Sequence, residues 1–158
     1  DRVDMASAAL LNGISSHTFD FDDTHLKTII HPAGPVASAL LALAEHRHFS
    51  GRQIIDALVL GIDVSCRIGN CMYPDHYDRG WHITGSTGSV GAAAACARLL
   101  GLNVQQTAMA MGMFVDVVST YVGSKCPRGV AWGVVGWGPS QRHFEFWREQ
   151  LDSRQTVS

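Results

Sequence analysis

Residues 17–32, HTFDFDDTHLKTIIHP, hold three histidines, three aspartates and a lysine within one short stretch. The chain as a whole is only 16% charged. Three chemistries could use such a cluster. A metal site would draw on Asp20, Asp22, Asp23, His25 and His31, because hard cations take carboxylate oxygens and zinc or iron takes histidines with a carboxylate. The spacing matches neither H-E-x-x-H nor a calcium loop, so no metal is expected. An acid/base site needs less, an aspartate beside a histidine. The plainest alternative is a solvated helix end whose Asp and Thr side chains cap the next segment.

Two further stretches could bind an anion. In RGWHITG, residues 79–85, His82 lies between Trp81 and Ile83 and should be half-buried, as a structural hydrogen-bonder or as part of a site. The Thr84–Gly88 run that follows reads as a helix N-terminus, whose backbone N–H groups can hold a carboxylate or phosphate. Its glycines match no phosphate loop or dinucleotide fingerprint. Lys125, one of two lysines in the chain, could neutralise a carboxylate or simply face solvent.

The elements that must position these residues read as helices. Residues 4–17 are small and apolar at helical spacing and predict a buried helix. Pro32 and Pro35 suit the start of the next helix, with Ala37, Leu40, Leu41, Leu43 and Ala44 as its apolar stripe. Ser50 with Gln53 is a capping box, and Ile54, Leu58, Ile62 and Cys66 fall four apart on one face. Residues 72–83 read as a polar, aromatic loop. The GAAAACA run, residues 91–97, permits close helix packing, and Gly101 is placed to stop that helix. Asn103 with Gln106 caps a last one; its VDVVSTYV end has β propensity but continues the helical stripe. Residues 1–120 thus predict five helices, and the class is all-α. Beyond residue 122 the pattern breaks: Trp132, Trp137 and Trp147 are scattered among glycines and Pro139.

Bulk properties narrow the function. With 158 residues, 46% of them hydrophobic, the chain is one globular domain or a piece of one. A net charge of −2 and the lack of a basic run argue against nucleic acid. No apolar stretch approaches the roughly 20 residues of a membrane span, and no signal segment opens the chain. Cys66, Cys71, Cys96 and Cys126 form no C-x-x-C pair, which points to free thiols in a reducing compartment, the cytoplasm or, in a eukaryote, the mitochondrion. Asp1 already reads as helix interior, so an N-terminal portion of a larger protein is expected to precede it.

Taken together and in order, LNGISSHTFDFDDTH…HPAGPVASALLALAE, GRQIIDALVLGIDVSCRIG and GWHITGSTGSVGAAAACARLLGL resemble the MmgE/PrpD family over roughly residues 4–120. The combination of D-F-D-D-T, H-P-A-G and G-W-H-x-T-G is specific where each motif alone is weak. The resemblance implies an all-helical domain over 1–122, homodimers, no cofactor, and a site in a cleft shared with a second, smaller domain. It implies a lyase acting on citrate-like acids: dehydration of the 2-methylcitrate type first, decarboxylation of the cis-aconitate type as the alternative, and a non-catalytic helical fragment as the third reading. By motif, Asp20, His31 and His82 would be acid/base groups, with Thr24, His82 and Lys125 binding substrate. Lys125 matches only in part, since Arg128 stands where the family has a histidine. The 123–158 tail is read as a shifted frame or altered terminus. The chain alone is expected to be inactive and prone to aggregate.

Overall fold

The computed structural model describes residues 2–122, with side chains as far as Met113. The tail, with Lys125 and Cys126, lies outside the described residues. Helices follow in the order α1 (Met5–His17), α2 (Ala33–His46), α3 (Gly51–Met72), α4 (Asp75–Asp78), α5 (Ile83–Leu99) and α6 (Val104–Val122). Among the described residues there is no strand, only an isolated bridge between His25 and Ile30. The all-α expectation holds. The helix beyond the five expected, α4, is a single turn inside the segment read as loop.

The helix starts follow local chemistry. The Asp4 carboxylate accepts from the Ala6 and Ser7 N–H groups of α1. Ser50 and Gln53 form the expected capping box on α3. Asn103 and Gln106 cap α6 reciprocally, at 2.9 and 3.1 Å. Gly101 stands past the end of α5 at φ +68°, a conformation that suits glycine. Pro32 has no side chain able to cap α2. That role falls to Asp23, ten residues away, whose carboxylate accepts from Ala33 N–H at 3.1 Å.

The core gathers Val36, Leu40 and Leu43 of α2, Ala57 of α3, and Ala95 and Leu99 of α5. Burial differs from the sequence expectation in three places. Leu41 turns outward and is half exposed; Val36, Leu40, Ala42 and Leu43 carry the α2 seam instead. On α3 the fully buried line is Ala57, Gly61, Ser65 and Gly69, while Ile54, Leu58, Ile62 and Cys66 flank it half-buried. The reason is proximity. A Cβ on Gly61 would stand 2.6 Å from Val36 and 2.8 Å from Ala95, and one on Gly91 would stand 2.5 Å from the Gly61 carbonyl. Large side chains cannot enter so close a crossing and are pushed to its margins. Lastly, α1 is a helix but buries no residue, because it packs along the outside of α2.

Candidate functional site

The 18–32 segment connects α1 to α2 and is pinned from below. Thr28 and Ile30 are fully buried against α3, where Gly69 leaves them room: a Cβ there would stand 3.1 Å from Ile30 and 3.3 Å from Thr28. A second pin is the His31 backbone N–H, which donates to the buried Thr84 hydroxyl on the first turn of α5 at 3.1 Å. Two non-glycine residues of this segment, Asp20 (φ 57°) and Ile29 (φ 52°), sit in the left-handed region. That is uncommon for aspartate and strained for a β-branched isoleucine, and such strain persists only where the surroundings enforce it.

At the centre stands Asp22, its side chain only 7% exposed. Its Oδ2 lies 2.9 Å from His17 Nδ1, at the end of α1, and 3.7 Å from His31 Nδ1. Its Oδ1 is buried and, among the described residues, has no hydrogen-bond partner. The His17 and His31 rings are 5.8 Å apart. His31 Nδ1 also lies 2.9 Å from the Asp23 carbonyl oxygen, which can only accept, so Nδ1 carries hydrogen and, in the neutral ring, Nε2 bears the lone pair. Thr24 Oγ1 is 3.4 Å from the same Nδ1.

His82 is the N-cap of α5. Its Nδ1 accepts from the Gly85 N–H at 3.1 Å, so the neutral ring bears its proton on Nε2. Burial, reinforced by the nearby His17 and His31 rings, pushes its pKa down to about 4. His82 is therefore a neutral hydrogen-bond donor at neutral pH. His31 and His82 line one cavity of about 290 Å³ with Thr84, Ile29, Ile83, Tyr77, Gly80 and Trp81.

The structure thus brings His31 and His82 to one cavity, while Thr24 meets His31 at Nδ1 and is not among the residues lining that cavity. Asp20 is exposed and stands to one side, its carboxylate within 4.8 Å of ligand atoms of His17 and Asp22. Those three groups could hold a cation, but they are not the set weighed from sequence. Asp23 caps α2, and His25 Nδ1 is hydrogen-bonded to Thr28 Oγ1 at 2.7 Å. Capping, the plainest reading, accounts for Asp23; it does not account for Asp22. The sequence alone gives His17 no role and places Asp22 only in the metal set. The one signal for His17 was its place as the last residue of a helix running into the acidic motif.

An all-helical domain with histidines from two motifs facing one cavity defines the class, and the chain belongs to the MmgE/PrpD family: residues 1–122 match the MmgE/PrpD N-terminal domain. A cis-aconitate decarboxylase-like protein of Aspergillus oryzae is 39% identical over 120 residues, covering 71% of this chain and 25% of that protein. Human cis-aconitate decarboxylase is 34% identical over 121 residues, covering 73% of this chain and 25% of the relative. The enzyme of that name from Aspergillus terreus is 30% identical over 118 residues, 71% of this chain and 24% of the relative. The aligned region spans about a quarter of these relatives' length. No solved structure matches the chain.

Proposed function

We propose that this chain carries part of the active site of a lyase that decarboxylates cis-aconitate or a closely similar unsaturated polycarboxylate. What supports the reading is one observation above all: His31 and His82 reach the same cavity from separate elements, beside the N-terminus of α5. The names of the relatives favour decarboxylation over the 2-methylcitrate dehydration that the motifs alone put first.

The reaction breaks one carbon–carbon bond, releases carbon dioxide, and places one proton on the carbon skeleton. It needs a proton donor and a cradle for the remaining carboxylates. His31 fills the first role: Nε2 takes up and delivers the proton while Nδ1 stays engaged with Asp23, beside the Asp22 carboxylate. His82 fills the second, donating from Nε2 to a substrate carboxylate without carrying charge itself. The positive end of α5 adds to that attraction. Thr24 and Asp20 border this arrangement, Asp20 as a base or as a group orienting His17. Lys125 would neutralise a further carboxylate. In this reading the chemistry uses no cofactor.

The test is a turnover assay on a full-length relative, with cis-aconitate and 2-methylcitrate supplied separately. Release of carbon dioxide from the first, with a loss of at least about 100-fold when the residue aligned with His82 becomes alanine, is expected. Near-normal turnover in that variant would remove His82 from the mechanism. Water loss from 2-methylcitrate without decarboxylation would restore the dehydratase reading.

A further inference from the structure

Part of the cavity wall is built from the connection between α3 and α5, which supplies Tyr77, Gly80 and Trp81. This connection is short of apolar anchors. Tyr77 is exposed, and Gly80 reverses the chain at φ +90°. Something else must hold it. His76, which does not itself line the cavity, makes two contacts that do so. Its Nε2 is hydrogen-bonded to Ser86 Oγ, 3.0 Å away on the first turn of α5. Its ring stacks on Trp81, with centroids 6.0 Å apart and planes 16° from parallel. A backbone bond from Trp81 N–H to the His76 carbonyl, 3.3 Å, closes the same turn. Ser86 is buried, and its hydroxyl, which also donates to the His82 carbonyl at 3.4 Å, gains a second fixed partner in His76; burial shifts the His76 pKa downward.

We infer that His76 is a positioning residue: through Ser86 and Trp81 it fixes the Tyr77–Trp81 wall against the helix that carries His82. The inference rests on the reading of the cavity as a carboxylate site, but the latch itself is testable without it. His76→Ala, Ser86→Ala, the double variant and His76→Gln would be made in the full chain. Amide hydrogen exchange and calorimetric titration with cis-aconitate would then be measured.

Both single alanine variants should speed exchange at residues 76–82 while leaving the α3 seam unchanged. Each should weaken cis-aconitate by about three- to tenfold, the worth of one hydrogen bond. The double variant should fall short of the sum of the two singles, since both cut the His76–Ser86 contact. Glutamine, which can donate or accept at the same reach, should recover most of the affinity. Unchanged exchange at 76–82, or equal acceleration throughout α3, would overturn the latch. An unmodified chain that fails to bind cis-aconitate while the exchange pattern appears as described would leave the latch standing and remove the proposed substrate.

Discussion

His82 shows most clearly how one residue's surroundings set its chemistry. Its folded pKa of about 4 lies below the ordinary value of 6.5, so folding favours the neutral ring. The corresponding stability is fully present above pH 6.5 and is lost as pH falls toward 4, because the unfolded chain then binds a proton that the folded one resists. The melting temperature of the unmodified chain should therefore drop more steeply from pH 6.5 to 4 than that of His82→Asn, which keeps an N-cap acceptor without a titrating ring. Parallel slopes would show that the ring is not held neutral. At this scale the sequence was informative about residue type and less so about role. His31 and His82 stand in recognisable motifs, and both reach the cavity. Asp22 looks like its neighbours Asp20 and Asp23 in a linear reading. Burial and its pairing with His17 separate it from them, and that pairing joins the end of α1 to the irregular segment, which no local pattern announces.

At the scale of elements, caps and stops were legible because they are local: Ser50 with Gln53, Asn103 with Gln106, and Gly101 all act within a few residues. The Asp23 cap on α2 was hidden because it spans ten residues of irregular chain. Packing faces were harder still. Apolar periodicity placed Ile54, Leu58, Ile62 and Cys66 on one face, whereas the α3–α5 crossing is closed by Gly61, Ser65 and Gly91. A Cβ on Gly91 would stand 1.9 Å from Ser65 Oγ and 2.5 Å from the Gly61 carbonyl. Gly91→Ala should destabilise the chain by about 1–3 kcal/mol, by forcing the two helices apart. Gly112→Ala, at an exposed position of α6 where a Cβ would meet none of the described residues within 4 Å, should instead stabilise it by roughly 0.5–1 kcal/mol through helix propensity. Denaturant midpoints of the two variants check the pair, and a neutral Gly91→Ala would mean the crossing is looser than described.

For the whole molecule, membership of the MmgE/PrpD family sets the frame, and the match spans only a quarter of its relatives' length. The segment that forms the site exposes Phe19 (78%), Phe21 (94%) and Leu26 (86%) around the catalytic candidates. Apolar surface of this kind favours self-association. The isolated chain should bind a hydrophobic dye at this surface, and a folded chain that binds none would contradict that. Among the described residues no helix is long and apolar enough to cross a membrane. The central claim is that His31 and His82 together receive an unsaturated polycarboxylate. It is tested most directly by following the imidazole nitrogens of the ¹⁵N-labelled chain by NMR as cis-aconitate is added at neutral pH. The account predicts saturable shifts at His31 and His82, with His82 observed as the neutral Nε2–H form throughout and His46 and His48 unmoved. Shifts confined to other histidines, or a charged His82 in the free chain, would contradict it.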